Sequence, residues 1–234
     1  MFRLDGKVAL VTGCGTLGEG WGNGKAISVA LARQGASIFG SDLNLEAAQQ
    51  TKKIIEDEGG VAHVITADAT QADEVKKLVD ACMAQYGRID ILINNASAIN
   101  LTRTDQTPAK RFDLMFDVNV RGTFLTSQAA LPHLRKSAAE GRNPHILNLS
   151  PPLSMKPVWF KNHVAYTMAK YGMSMCVLGM AEEFKRDGIG VNALWPRTVI
   201  DTAALQMIPG IDAAAGSVSY LRFKANSSFS CSHE

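Results

Sequence analysis

The sequence predicts an α/β fold, a doubly wound parallel sheet in three layers. Two observations carry this. Short apolar runs alternate with amphipathic stretches along most of the chain, and a glycine-rich turn follows the first apolar run and leads straight into the first amphipathic one. Strands separated by helices pair in parallel through right-handed crossovers, which puts helices on both faces of one sheet.

The elements follow in order. Val8 to Val11 reads as a buried strand running to Gly13. Lys25 to Gln34 carries Ala, Leu and Ile at helical spacing and stops at Gly35. Ser37 to Phe39 is a second strand closing at Asp42, Glu46 to Glu58 a helix stopped by Gly59 and Gly60, and Ala62 to Thr66 a third strand. Glu74 to Tyr86 reads as a helix with Gly87 behind it, and Ile89 to Ile93 as a fourth strand. Two helical segments, roughly 108–118 and 120–137, precede a fifth strand from His145 to Leu149. Ala165 to Lys185 is a long helix and Ile189 to Leu194 a sixth strand. After about Pro209 the chain turns small and polar. Val218 to Phe223 offers a weak further strand, so the sheet is expected either to end there or to lack its last strand.

Bulk properties narrow the classes of function. The chain has 234 residues, which suits one large α/β domain or two small ones. A net charge of +2 gives no electrostatic case for nucleic acid or a membrane surface. No apolar run is long enough to span a bilayer. Met1 to Lys7 enters a strand without an apolar signal region, so a cytoplasmic, reducing location is expected. Cys14, Cys82, Cys176 and Cys231 lack metal-ligand spacing, as do His63, His145 and His163, and no metal site is expected.

The turn runs Thr12-Gly13-Cys14-Gly15-Thr16-Leu17-Gly18-Glu19-Gly20-Trp21-Gly22-Asn23-Gly24-Lys25. Glycine is needed where φ is positive or where a phosphate approaches the backbone, and a helix N-terminus offers free N–H groups to a pyrophosphate. Strand, glycine turn and helix in this order read as a dinucleotide site. Gly22 and Gly24 stand directly before the helix, so Gly13, Gly22 and Gly24 are the favoured set; Gly18 and Gly20 are the alternative.

Asp42 ends the second strand, 18 positions after Gly24. A carboxylate there accepts hydrogen bonds from the adenosine ribose and repels a 2′-phosphate, which favours NAD. Lys25 stays within reach of a phosphate, which keeps NADP open. The rival reading of Asp42 is a cap for the following helix, a role that Asn44 fills equally well.

Tyr166 and Lys170 lie at i,i+4 in the long helix and face the same side. An ammonium held near a phenol favours the phenolate and eases proton transfer. With Thr12-Gly13 and its turn, Asp68-Ala69 after strand three, Asn94-Asn95-Ala96 after strand four, Asn119, the Tyr166/Lys170 pair and Trp195-Pro196 after strand six, the chain resembles the short-chain dehydrogenase/reductase family over about residues 5–205, a family with the Rossmann fold. A closer likeness over about residues 93–207, to hydroxysteroid dehydrogenase-like members, rests on stretches such as Asn148-Leu-Ser-Pro-Pro-Leu153 and Pro157-Val-Trp-Phe160.

The resemblance implies roles. Asp68 and Ala69 line an adenine pocket, and Asn95 and Ala96 pack against the cofactor. Asn119 holds a water of a proton relay through Lys170. Tyr166 is the general acid/base, Lys170 binds the nicotinamide ribose, and Ile200 and Thr202 contact the carboxamide. It also implies a homodimer or homotetramer.

The sequence departs from the family at three places. The position 13 before Tyr166, where a catalytic serine is usual, is Leu153. Ser150 is the first substitute and Ser154 the second. Ser97 and Arg197 stand where glycines are usual. The division expected is a dinucleotide-binding and catalytic domain over 1–209 and an atypical tail over 210–234.

The leading expectation is a ketoreductase-type oxidoreductase that moves a hydride between a nicotinamide cofactor and a small-molecule carbonyl or secondary alcohol. The alternative is a cofactor-binding protein of the same fold with little or no turnover. Enoyl reduction fits less well, since that branch has a longer Tyr-to-Lys spacing and position 163 is His.

Overall fold

The computed structural model describes residues 3–18, 20–195, 199–200, 202 and 217–218. In chain order the elements are β1 (Val8–Thr12), α1 (Asn23–Arg33), β2 (Ser37–Asp42), α2 (Leu45–Asp57), β3 (Val61–Thr66), α3 (Ala72–Tyr86) and β4 (Ile91–Asn94). They continue with α4 (Ala109–Phe116), a π-helical turn (Asp117–Gly122), α5 (Thr123–Ala139), β5 (His145–Asn148), α6 (Val164–Glu183), β6 (Gly190–Ala193), β7 (Val199–Ile200) and β8 (Ser217–Val218).

The first six strands form one parallel sheet in the order β3-β2-β1-β4-β5-β6. This is the doubly wound Rossmann arrangement expected from the sequence. It explains why the first strand reads as an unbroken apolar run: both faces of a parallel sheet are covered. Val8 and Leu10 belong to a core with residues of α3, α5 and α6, whereas Ala9 and Val11 pack on the other face with residues of α1 and α2. Among the described residues, β7 and β8 pair only with each other. The weak strand expected over 218–223 is described only at its first residue, and the rest of the 210–234 tail, Ser217 and Val218 apart, lies outside the described residues.

Local chemistry sets the helix ends. The Asn44 side chain accepts the Ala47 N–H at 3.2 Å and caps α2. Gly87 closes α3 in the left-handed conformation. The two helices expected over 108–118 and 120–137 are joined into one path, because six residues from Asp117 to Gly122 continue the turn with π-helical bonding instead of breaking it. π-turns of this kind concentrate at functional sites. No helix among the described residues is long and apolar enough to cross a membrane.

Asp90 ties the N-terminal edge of the sheet. Its carboxylate accepts the Val8 N–H, the Ser137 hydroxyl and the Arg142 guanidinium at 2.6–2.9 Å, and it is fully buried. Burial alone raises an acid's pKa; here the hydrogen bonds from Arg142, Ser137 and Val8 outweigh it, and Asp90 lies below the usual carboxylate range.

Candidate active site

The site lies at the C-terminal ends of the strands, where β1 and β4 sit side by side and the chain winds in opposite directions on either side. Open α/β sheets bind ligands at this switch point. Gly13 leaves β1 with φ +65°, and a Cβ there would stand 2.9 Å from the Ala96 Cα. A Cβ on Gly24 would collide with the Gly13 carbonyl oxygen and the Asn95 amide. The turn is therefore folded back so that its two ends touch. Gly22 is the residue before the first turn of α1 and has no side chain to cover the free N–H groups there. Gly18 and Gly20, the alternative pair, face open space.

Thr12 and Asn95 lock this contact. Asn95 Nδ2 donates to the carbonyl oxygens of Thr12 and Gly13 at 3.1 and 2.7 Å. The N–H groups of Asn95 and Ala96 both donate to Thr12 Oγ1 at 3.2 Å. Sequence reasoning listed Thr12 only as part of the motif and missed it as the brace. The signal was available in a hydroxyl placed just before the glycine turn.

Asp42 does not cap α2, because Asn44 does. Its carboxylate accepts the Gly15 N–H at 2.9 Å and the Asn44 N–H at 3.0 Å. One oxygen thus holds the glycine turn and the other the turn after β2. Lys25 is almost fully buried; its ammonium donates to the Gly20 carbonyl at 2.8 Å and stands 5.8 Å from the centroid of the Trp21 ring. Asp68 Oδ1 accepts the Thr70 N–H at 2.8 Å, and Ala69 packs where a Cβ on Gly122 would stand 3.2 Å from its carbonyl oxygen. These positions bring Asp68 and Ala69 beside the π-turn.

The catalytic candidates gather at the ends of β4 and β5. Asn119 is fully buried in the π-turn. Its Oδ1 accepts the Ser97 hydroxyl at 2.8 Å and the Ala98 N–H at 3.0 Å, and its Nδ2 donates to the Ala98 carbonyl at 2.9 Å. Ser97, read from sequence as a replaced glycine, is part of this clamp. Ala98 packs with Met115, Ala165, Ala169 and Tyr166, so the clamp reaches the first turns of α6.

Tyr166 and Lys170 stand one turn apart on α6, as the spacing requires. Burial pushes the Tyr166 phenol up to about 12. The Lys170 ammonium donates to the Leu149 carbonyl at 2.6 Å and approaches Met173 Sδ at 3.2 Å, and burial pulls it down to about 8. In this arrangement burial, rather than the neighbouring ammonium, sets the acidity of Tyr166. Ser150 follows Leu149 and is 3% exposed; its hydroxyl oxygen is buried without a hydrogen-bond partner among the described residues. Ser154 is otherwise engaged, its hydroxyl accepting the Lys156 N–H at 3.3 Å. Leu153 is 38% exposed.

Ile200 lies in the short strand β7 and Thr202 is half-buried. Pro196 and Arg197 lie outside the described residues, as does Cys231, while Cys14, Cys82 and Cys176 are free thiols.

The residues fit a dinucleotide. Gly13 and Gly24 let the two ends of the turn meet where any side chain would collide, and the buried Thr16 hydroxyl inside the turn, like that of Ser150, has no partner among the described residues. Unpaired buried hydroxyls are costly, and each one calls for an explanation.

Comparison with known proteins supports the same assignment. A family model described as short chain dehydrogenase matches residues 7–209. Hydroxysteroid dehydrogenase-like protein 2 from Danio rerio is 49% identical over 222 residues, covering 90% of this chain and 51% of the relative. The chain thus spans about half the length of the curated relatives it matches. A solved Xanthomonas campestris structure described as a dehydrogenase is 43% identical and covers 93% of this chain and 79% of its own, with a TM-score of 0.83. A 7α-hydroxysteroid dehydrogenase complexed with NADH and 7-oxo glycochenodeoxycholic acid is 30% identical, covering 89% of this chain and 77% of its own at a TM-score of 0.76. A metagenomic short-chain oxidoreductase complexed with NADP is 27% identical, covering 85% of this chain and 86% of its own at 0.75. The likeness read over 93–207 runs along most of the chain, and the chain belongs to the short-chain dehydrogenase family.

Proposed function

We propose that the chain is an NAD(P)-dependent oxidoreductase that interconverts a carbonyl and a secondary alcohol, with Tyr166 as general acid/base. The observation that carries this is the Ser150 hydroxyl, buried without a partner next to the Leu149 carbonyl that holds Lys170. A bound nicotinamide dinucleotide supplies or accepts the hydride. Ser150 then donates to the substrate oxygen, where charge develops. Tyr166 gives its proton to that oxygen during reduction and recovers it during oxidation. Its high pKa suits an acid that stays protonated at neutral pH. Lys170 would hold the nicotinamide ribose of a bound cofactor and support the proton transfer. Asn119 holds Ser97 and Ala98 in place and keeps one amide hydrogen for the relay water.

Gly13, Gly22, Gly24, Asn95 and Ala96 form the pyrophosphate and ribose cradle, with Asp68 and Ala69 at the adenine and Ile200 and Thr202 at the carboxamide. Asp42 at the end of β2 supports NAD as the cofactor. Lys25 supports NADP less well than its position in sequence suggests, because its ammonium is tied to the Gly20 carbonyl. The exposed Met168, Met175 and Leu178 on one side of α6 support assembly with further copies of the chain.

Tyr166→Phe tests the reading. Carbonyl reduction falls by roughly 100-fold or more while NADH binding, followed by fluorescence titration, is retained. Unchanged turnover in the variant overturns the role given to Tyr166. Binding of NADH without turnover by the wild-type chain, across ketones, aldehydes and steroid-like carbonyls, favours the non-catalytic alternative.

A further inference from the structure

The segment from Ser150 to His163 leads from one catalytic candidate to the helix that carries Tyr166 and Lys170, and large apolar side chains are exposed on it. Met155, Val158 and Trp159 are more than half exposed on it. Large apolar side chains gathered in one exposed patch mark a binding surface. Met155 and Val158, with Pro157, Phe160, Lys161 and Val164, line an open cleft of about 760 Å³. That volume lies within the range of small-molecule sites.

The segment is fastened to α6. Thr167 Oγ1 donates to the Trp159 carbonyl at 2.6 Å, and His163 Nδ1 stands 2.9 Å from the same hydroxyl oxygen. Since the hydroxyl hydrogen is already committed, His163 Nδ1 is the donor in that contact. The Phe160 ring meets Tyr171 edge-on at 5.3 Å. The cleft therefore borders the start of α6, the helix that carries Tyr166.

Its rim is positive. Lys161 lines the cleft and Lys156 follows Met155, both exposed, and residues 150–164 contain no Asp or Glu. Among the described residues neither lysine has a carboxylate partner.

We propose that this cleft takes the far end of an apolar carbonyl substrate bearing an acid group, with the acid paired to Lys161 and Lys156. The proposal rests on the oxidoreductase reading above. Lys161 and Tyr166 are five positions apart in the chain, so their Cα atoms are at most about 18 Å apart. A carbonyl and an acid spaced as on a medium-length chain or a fused-ring skeleton fit that limit. A membrane surface is also apolar and anionic; the run of this segment from Ser150 directly into α6 favours a substrate of that site over it.

The test uses the whole chain with decanoate and 1-decanol below micelle formation. Binding is followed by tryptophan fluorescence, with Trp159→Phe assigning the signal. Decanoate binds roughly 3- to 10-fold more tightly than the alcohol, as expected for two exposed charges, and added salt weakens the preference. The double variant Lys156→Glu/Lys161→Glu loses the preference and keeps NADH binding. Equal affinity for acid and alcohol overturns the proposal, as does a preference that survives the double variant. Pelleting with phosphatidylserine vesicles without a saturable decanoate response also overturns it and assigns the patch to a membrane surface. None of these binding outcomes depends on turnover, so they leave the oxidoreductase reading standing; that reading fails separately, if the wild-type chain shows no turnover with any carbonyl, whether or not it binds NADH.

Discussion

The Lys170 ammonium donates to the Leu149 carbonyl at 2.6 Å, one residue before Ser150. This bond ties the long helix to the end of β5 and places the cation beside the unpartnered serine. Burial lowers Lys170 to about 8, so the cation is lost as pH rises through that value. Carbonyl reduction that relies on the cation shows kcat/KM falling about tenfold per pH unit above the Lys170 pKa, since kcat/KM reports the free enzyme. A profile flat to about pH 9.5 removes Lys170 from the proton transfer. The linkage to stability has the opposite slope. Between the folded value near 8 and the ordinary lysine value the unfolded chain binds more protons, so this group's opposition to folding is relieved as pH rises through that window.

Ser150→Ala separates catalysis from stability. Its hydroxyl oxygen has no partner to lose among the described residues, so unfolding free energy in urea changes by less than about 0.5 kcal/mol or rises. Turnover falls roughly 100-fold, the scale for loss of one donor to a developing oxyanion. Destabilisation by about 2 kcal/mol with turnover kept would make Ser150 a structural residue instead.

Asp42→Ala tests the cofactor choice. The carboxylate holds the Gly15 and Asn44 N–H groups, and its charge faces the position of a 2′-phosphate in the proposed reading. The ratio of kcat/KM for NADPH over NADH rises by about tenfold, equivalent to about 1.4 kcal/mol, in steady-state assays with each cofactor. A ratio unchanged by the substitution leaves Asp42 as a brace of the turn alone.

Asp90→Ala destabilises the fold by roughly 2–4 kcal/mol in urea denaturation, because Val8, Ser137 and Arg142 lose a shared buried acceptor. Asp90 lies below the usual carboxylate range, so its contribution is complete at neutral pH and is lost as pH falls through its lowered value. Acid titration of the wild-type chain therefore loses stability that the variant never had. NADH affinity, measured alongside, stays within about twofold, since substitutions well separated in the fold act independently.

The fold was legible because two-sided burial writes itself into the sequence as apolar runs, and Val8 to Val11 needed no tertiary knowledge to be read as a strand. The joining of α4 to α5 was not legible. The π-turn depends on Asn119 finding Ser97 and Ala98, some twenty positions earlier, and no local periodicity records that. The placement of the candidates was legible where it follows spacing, as for Tyr166 and Lys170 one turn apart on one helix. It was illegible where a side chain picks between partners. Asp42 and Asn44 were interchangeable as helix caps in sequence, and only the path of the glycine turn decides that Asp42 is drawn away to Gly15. Lys25 likewise reads as a phosphate ligand until Gly20 and Trp21 are seen folded beside it.

The meeting of Gly13 and Gly24 has an evolutionary consequence. Ten residues, 14–23, leave and return between them, yet the mouth of that excursion is fixed by direct contact and by Asn95. Doubling the length of such an excursion costs only about 0.6 kcal/mol of closure entropy. Cys14 and Gly15 stay bound to Ser41 and Asp42 of the sheet, but outer residues such as Leu17 and Gly18 can be exchanged or lengthened as raw material for new specificity.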